Sequence, residues 1–223
     1  MLRIQSQAQI SFSDIIVITF GEGKGTNLLH SIQSMKNDAT IEESKLPCPI
    51  LEFRIINEMY PKRNCEIIDA TLNCVLEIKS KHKNDVHPYY APLELRMSAH
   101  PLFSSKWHAR HVMDENSPIL RPHVRKLIKK NGGHWPKDLN SYSGVKESLI
   151  DFEKLFVSFS GTSNISASTV FAHKEYGKFH MFVGYEFVSI EYKNAKNQQL
   201  LDTEMINDVM EQQGGGGEPL FSK

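Results

Sequence analysis

Two histidines and two acids fall close together in the sequence, at His108, His111, Asp114 and Glu115. Imidazole and carboxylate groups are common ligands of zinc. The spacing argues against a metal clamp, because His108 and His111 would point to opposite faces of a strand. No C-x-x-C pair accompanies them, and the other histidines are scattered. We therefore predict core or turn roles for these side chains, with no metal site and no cofactor.

Two short motifs invite comparison with phosphate-binding and nucleophile loops. The sequence GEGKG at residues 21–25 lacks the G-K-[ST] ending of a phosphate loop, because Lys24 is followed by Gly25. The sequence SGTS at residues 160–163 lacks the G-x-S-x-G pattern that places a nucleophilic serine between a strand and a helix. We predict a flexible loop for the first motif and a turn for the second. With no catalytic constellation in the sequence, the chain is not expected to be an enzyme.

A basic stretch without any acid spans residues 121–137. Its cations are Arg121, Arg125, Lys126, Lys129, Lys130 and Lys137. Such a run can approach anionic lipid headgroups, where each basic residue contributes about 1 kcal/mol, or it can form a solvated helix face. If the stretch contacts lipid, an exposed helix approaches the anionic phospholipid surface through four residues. These are Arg125, Lys126, Lys129 and Lys130.

The overall composition limits the classes of protein to consider. The 223 residues carry 26 Lys and Arg against 26 Asp and Glu, and this zero net charge argues against a nucleic-acid binder. The longest apolar run covers only residues 15–18, whereas a membrane helix needs about 18 or more. We therefore expect neither a membrane crossing by this chain itself nor a signal-peptide core after Met1. The odd cysteine count (Cys48, Cys65 and Cys74) suggests reduced thiols in a cytoplasmic setting.

Alternation of apolar and polar residues with a period of two dominates the chain and predicts an all-β fold. In residues 66–78, one face carries Ile68, Ala70 and Leu72, and Asp69 falls on the other, mostly polar face. Further strands are expected at residues 15–20, 51–57, 93–97, 107–113, 154–160, 166–173, 178–182 and 186–192. Many short strands separated by turn residues favour a β-sandwich. The predicted core consists of Leu51, Phe53, Ile55, Ile68, Leu72, Leu76, Leu95, Val157 and Phe159.

Three segments depart from this alternation. Residues 21–47 are long and polar, which predicts an insertion loop. Residues 118–133 have helical spacing and end in Asn-Gly-Gly, which predicts a short helix near 120–131. Residues 200–210 place Leu201, Met205, Ile206 and Val209 on one helical face, which predicts a C-terminal helix. The resulting organisation is a connector at 1–9, a domain at 10–193 and a partly disordered tail at 194–223.

Residues 99–120, AHPLFSSKWHARHVMDENSPIL, carry the sharpest motif of the sequence. They resemble the H-P-[IL]-F…W…HV-[IM]-D-E-x-S-P-L stretch in the cytoplasmic domain of inward-rectifier potassium channels, especially of their prokaryotic relatives. The matching signature positions are His100, Pro101, Leu102, Phe103, Trp107, His111, Val112, Met113, Asp114, Glu115, Ser117 and Pro118. Other blocks fall in the family's order. They include FRIIN at 53–57, IIDA at 67–70 and the hairpin-like stretch at 156–171.

The resemblance implies an immunoglobulin-like β-sandwich of the E-set type that hangs below the membrane. Four copies would form a ring that extends the potassium pathway, so the implied partners are three further copies of the chain, potassium ions and polyvalent cation blockers. Asp69 matches the family's acidic position, where four carboxylates ring the cytoplasmic pore and hold Mg²⁺ or polyamines. Arg3 stands alone where the family has a basic cluster for anionic phospholipid.

The family's two membrane helices and selectivity filter would lie before Ile10, where this sequence has nine residues. Two hypotheses follow. The chain is the cytoplasmic, pore-extending and regulatory module of an inward-rectifier-type channel, on the cytoplasmic side of a membrane. Alternatively, it is a stand-alone cytosolic interaction module that kept the fold and lost conduction, in which case it is soluble and cytoplasmic.

Overall fold

The computed structural model describes residues 10–20, 45–60, 64–79, 87–195, 199–212 and 218–219. The predicted connector with Arg3, the GEGKG motif and most of the predicted insertion loop lie outside these residues. Most of the predicted C-terminal tail beyond residue 212 lies outside them as well.

The described residues form mostly β-strands, as the alternation predicted. The strands are β1 (Ile10–Phe12), β2 (Ile16–Thr19), β3 (Ile50–Asn57), β4 (Ile67–Ile78), β5 (Tyr89–Pro92), β6 (Ala99–Phe103), β7 (Lys106–Val112), β8 (Lys154–Ser163), β9 (Thr169–Gly177), β10 (Met181–Val183), β11 (Tyr185–Phe187), β12 (Glu191–Lys193), β13 (Gln199–Leu201), β14 (Val209–Glu211) and β15 (Glu218–Pro219). The α-helices in the described part of the chain are α1 (Pro122–Lys130) and α2 (Tyr142–Ser148). Short 3₁₀ turns cover Lys137–Leu139, Lys178–His180 and Glu204–Asn207.

The first sheet is built around β3. Strand β7 pairs antiparallel with one edge of β3, and β1 and β2 pair antiparallel with the two ends of its other edge. Strand β10 joins β2 in parallel, with Phe182 opposite Val17. Gly184 ends β10 with a φ of 78°, a left-handed conformation that glycine adopts at low cost. The chain turns there from β10 into β11.

The second sheet is antiparallel and has the order β5-β4-β8-β9, with β6 also paired to β4. Aromatic side chains from the two sheets meet in a shared core. The rings of Phe53 in β3 and Tyr176 in β9 lie 5.7 Å apart, and those of Trp107 in β7 and Phe159 in β8 lie 6.5 Å apart. Burial of such side chains contributes about 1.5–3 kcal/mol each, so the contact between the sheets is a main source of stability.

Most of the predicted core is confirmed, but Ile68 is not part of it. Ile68 is 39% exposed, whereas Ile67 is fully buried. The register between β4 and β8 shifts between Ile68 and Thr71, and Asp69 has a φ of 49°. These features describe a β-bulge, which places an extra residue in β4 and reverses the alternation on its two sides. Leu95 is also only half-buried, and residues 93–97 form no strand.

Strand β3 is buried on both faces, although simple alternation with Leu51, Phe53 and Ile55 in the core would place Glu52 and Arg54 in solvent. Both charged residues are buried, and the segment that carries β11 covers Arg54. Arg54 donates from Nη2 to the carbonyl oxygen of Val188, and its guanidinium carbon lies 4.3 Å from the ring centroid of Phe187. The strand was predicted correctly, but its environment was not.

The helix predicted near residues 120–131 is confirmed as α1, with Val124 and Ile128 buried. The predicted C-terminal helix is wrong. Residues 199–211 instead form β13, a 3₁₀ turn and β14. Strand β13 pairs with β12 and strand β14 pairs with β11, so strand partners replace helical hydrogen bonds in this segment.

The three cysteines are free and buried, in agreement with the expectation of reduced thiols. Burial raises the pKa of both Cys48 and Cys74 to about 12, which keeps these thiols protonated at neutral pH. Within the described residues, no helix is long and apolar enough to span a membrane.

Candidate functional site

Asp69 lies exposed on β4, on the side of the second sheet that faces away from the core. The bulge that holds it sits against Gly161 of β8, where a Cβ atom would approach Cγ2 of Ile67 to 2.4 Å and Cα of Ala70 to 3.2 Å. Glycine is therefore the residue that lets the two strands approach at this point. The predicted exposure of Asp69 agrees with the structure, although the bulge, rather than simple alternation, determines the direction of its side chain.

The surface around Asp69 is rich in hydroxyl groups and contains one exposed aromatic ring. Thr71 and Ser160 stand opposite each other, and their hydroxyl oxygens lie 2.8 Å apart. Phe171 of β9 continues the same row and is exposed. Sequence reasoning missed the exposure of Phe171, because an aromatic residue in a predicted strand is equally typical of a core position.

The signature residues divide into two groups with different environments. The first group is aromatic and belongs to the core between the sheets. The His100 ring lies 5.7 Å from that of Trp107 and 6.3 Å from that of Phe103, and Trp107 is buried. Pro101 lies on β6 between them and is exposed. This half of the motif packs the end of the core next to β4, where His100 pairs with Ala70.

The second group forms a polar turn after β7. His111 is buried, with Nδ1 2.7 Å from the carbonyl oxygen of Glu94 and Nε2 2.7 Å from Oγ of Ser117. A carbonyl oxygen only accepts, so Nδ1 carries the proton and Nε2 accepts the hydrogen bond of the Ser117 hydroxyl. Asp114 accepts from the backbone N–H of Asn116 at 2.8 Å. His111 therefore ties the loop that contains Glu94 to the turn that contains Ser117.

This turn forms one wall of a cleft of about 370 Å³. Asp114, Ser117 and Pro118 line it together with Glu94 and the preceding loop. Glu115, the remaining signature acid, is half-buried near Gly133. Burial lowers the pKa of His111 below its ordinary value, against the opposing effect of the Glu94 carbonyl and the Asp114 charge. His111 is therefore neutral at pH 7 and acts as a hydrogen-bonding link.

A buried charged cluster on the outer face of the first sheet was not anticipated from the sequence. The Glu52 carboxylate lies 2.6 Å from Nδ1 of His108 and 2.5 Å from Nε of Arg110. Burial opposes ionisation of Glu52, but the hydrogen bonds and charges of His108 and Arg110 outweigh it and lower the pKa of the carboxyl. The signal that could have found this cluster is the pair of charged residues inside the apolar run of β3.

The basic helix α1 presents most of its predicted lipid-contacting residues to solvent. Lys126, Lys129 and Lys130 are exposed, while Arg125 is half-buried and its Nε has no partner among the described residues. Leu127 is 45% exposed and lies among these lysines in the sequence of the helix. The lysines thus form a solvent-facing basic surface that Arg125 shares only in part.

The predicted site residues in the described ranges therefore occupy four places: the outer face of β4, the aromatic core beside β6, the polar turn after β7, and helix α1. In the described ranges, no group of three or more His, Cys, Asp or Glu side chains could hold a metal ion. No protein-family model matches the chain, and no curated protein matches it.

Proposed function

We propose that the chain is the cytoplasmic, pore-extending and regulatory module of an inward-rectifier-type potassium channel. The observation that carries this proposal is the exposed position of Asp69. At the position that matches the family's acidic residue, the side chain lies on the sheet face directed away from the core. The collinear order of the sequence blocks from residue 10 to residue 192 supports the same assignment.

The proposed fold within the all-β class is an immunoglobulin-like β-sandwich. Two mostly antiparallel sheets that share one aromatic core agree with this architecture. The signature block has a physical role in such a fold. His100 and Trp107 fill the core at one end, and the His111–Ser117 bond fixes the turn after β7.

In the proposed assembly, four copies surround an axis along which potassium ions pass. Heterologous contacts that repeat around a four-fold axis close into a ring. Four Asp69 carboxylates in a narrow vestibule attract cations and hold polyvalent blockers such as Mg²⁺ or polyamines. The module would then lie on the cytoplasmic side of a membrane and supply the blocker site that produces rectification.

A chimera that joins this chain to a conducting potassium pore tests the proposal. Currents are recorded with and without internal spermine for the Asp69 form and for Asp69→Asn. We expect the substitution to weaken spermine block at least about tenfold, because each blocker loses four charge interactions at once. Unchanged block in Asp69→Asn would contradict the pore role.

Asp138→Asn is the matched control, because Asp138 is an exposed aspartate outside the second sheet. We expect it to leave block unchanged, since its carboxylate would not face the axis. If both substitutions alter block equally, the effect is one of total charge and the assignment of Asp69 fails. A chimera that folds and reaches the surface but gains no block from this chain favours the stand-alone interaction module.

A further inference from the structure

A second cavity of about 740 Å³ lies in the region of helix α2, and it shares no lining residue with the cleft beside the turn after β7. Its walls come from Arg121, from α2, from the segment that follows α2, from Lys178 in the 3₁₀ turn before β10, and from Met181 at the start of β10. These elements meet because Leu120 bridges to Leu149 and because the Ile150 N–H donates to the Ile119 carbonyl at 2.9 Å. The cavity uses none of the residues assigned to the proposed channel function.

The floor of this cavity is apolar. Leu149, Phe152 and Met181 line it and are all buried beneath the surface. Apolar groups at the base of a concave site favour a ligand that carries an apolar body. A simple inorganic ion would leave this floor in contact with water.

The rim is charged and carries a small positive excess. Arg121, Lys146 and Lys178 provide three cations, and Glu147 and Asp151 provide two carboxylates. Lys178 forms an ion pair with Asp151, and its Nζ lies 5.4 Å from the ring centroid of Phe152. The net charge of this rim is +1, which suits a monoanion better than a polyphosphate.

Arg121 is held in place at this rim. Its Nε donates to the Leu149 carbonyl at 2.9 Å, and its backbone N–H donates to the Ser148 carbonyl at 2.8 Å. A guanidinium fixed through Nε keeps its terminal N–H groups for a carboxylate, which a planar fork binds with two hydrogen bonds. The side chains of Tyr142 and Ser143 add hydroxyl groups to the lining.

Helix α2 is a rigid wall for such a site. Ser141 caps its first turn by accepting from the Gly144 N–H at 3.0 Å, and Ser148 donates to the Gly144 carbonyl at 2.6 Å. Gly144 packs so closely on the preceding turn that a Cβ atom would lie 2.5 Å from the Leu139 carbonyl oxygen. These contacts fix the backbone of α2, which carries Lys146 at the wall of the cavity.

We propose that this cavity binds a small, soluble monoanion that carries a carboxylate on an apolar body. The carboxylate lies against Arg121 and Lys146, and the apolar body covers Phe152 and Met181.

Three probes that separate charge from apolar surface test this proposal by calorimetry on the full chain. They are 4-phenylbutyrate, acetate and the neutral 4-phenylbutanol. We expect 4-phenylbutyrate to bind at least about tenfold more tightly than either of the others. Only this probe has both a carboxylate for the cations of the rim and a phenyl ring for the apolar floor. Equal binding of the alcohol would overturn the role of the cations, and equal binding of acetate would overturn the role of the floor.

Arg121→Gln and Lys146→Gln are each expected to weaken 4-phenylbutyrate binding about tenfold. Lys129→Gln, which removes one charge from the exposed face of α1, is the matched control and should leave binding unchanged. Wild-type affinity in both cavity variants would overturn the proposal even if one of them proves less stable. In sedimentation with phosphatidylserine vesicles, Arg121→Gln should lose no more binding than Lys129→Gln, and a larger loss would assign the site to a membrane lipid instead.

Discussion

Asp69 occupies a backbone conformation that most residues avoid. Its φ of 49° lies in the left-handed region, which costs an L-residue with a Cβ roughly 1–2 kcal/mol and costs aspartate and asparagine less than others. We expect Asp69→Asn to keep wild-type stability and Asp69→Val to lower the free energy of unfolding by about 1–2 kcal/mol. Urea denaturation followed by tryptophan fluorescence measures both. The asparagine variant is therefore a clean test of charge in the channel chimera.

A valine variant as stable as the wild type would show that position 69 does not require the left-handed conformation. Thr71→Val on the same exposed face is the control, because it introduces valine at a regular strand position. That variant loses only the hydrogen bond between Thr71 and Ser160, for which about 0.5–1.5 kcal/mol is expected.

His111 makes the stability of the molecule depend on pH. Its pKa lies below the ordinary value of 6.5 in the folded state, so the unfolded chain takes up a proton first as the pH falls. The stabilisation by neutral His111 is complete above pH 6.5 and is lost below it, by up to about 1.4 kcal/mol for each pH unit. Denaturation midpoints measured between pH 7.5 and pH 5 should fall accordingly, and His111→Gln should flatten this fall.

His123→Gln is the comparison for this measurement, since His123 is an exposed histidine at the start of α1. The variant should keep the wild-type dependence on pH. An identical slope in His111→Gln and wild type would show that the acid sensitivity comes from other groups, such as the buried Glu52.

At the scale of elements, strand positions could be predicted from the sequence because β4, β7 and β8 keep one face in the core. The bulge in β4 could not be predicted, because nothing local distinguishes Asp69 from any other polar strand residue. The glycine at position 161, which is far away in sequence, permits the bulge, because a Cβ there would clash with Ile67. Ile68 was therefore assigned to the wrong face, while Asp69 was assigned to the correct one.

The predicted C-terminal helix failed for a different reason. Leu201, Met205, Ile206 and Val209 have helical spacing, but a short helix in water gains little without tertiary contacts. In the structure the two ends of this segment pair with β12 and β11. The secondary structure of such a segment is determined by strand partners from elsewhere in the chain. Local periodicity cannot predict those partners.

Helix α1 leads to a prediction about charged surfaces. We expect the chain to bind vesicles that contain phosphatidylserine, and the triple variant Lys126→Ala, Lys129→Ala and Lys130→Ala to bind at least about tenfold more weakly, since each lysine contributes about 1 kcal/mol. Raising the salt concentration should weaken wild-type binding, because attraction is screened beyond about 10 Å at 0.1 M salt. Vesicle sedimentation at several salt concentrations measures both effects.

The matched control removes three exposed lysines elsewhere: Lys79, Lys154 and Lys193. It produces the same change in net charge on other parts of the surface. If the control loses as much vesicle binding as the α1 variant, net charge explains the result and α1 has no special role.

At the scale of the whole molecule, like charges repel one another in the proposed ring. Four Asp69 carboxylates around one axis oppose assembly, so the isolated chain should form only weak tetramers at low salt. Spermine should raise the tetramer fraction, because a polyvalent cation binds the ring and not the monomer. Sedimentation velocity measures this shift, and Asp69→Asn should assemble without responding to spermine. A closed two-fold dimer that buries the outer face of β4 would contradict the ring.

The parallel pairing of β2 with β10 has a consequence for how the chain is made. Ile16 lies opposite Met181, across a separation of 165 residues, so this edge of the first sheet stays open while the ribosome synthesises the intervening chain. Such distant pairings are slow to form, because loop closure must precede the contact. Until β10 emerges, β2 presents unpaired N–H and C=O groups along a run of isoleucine and valine, which is a template for aggregation. A nascent chain that stalls before residue 181 should therefore depend on chaperones far more than the finished one.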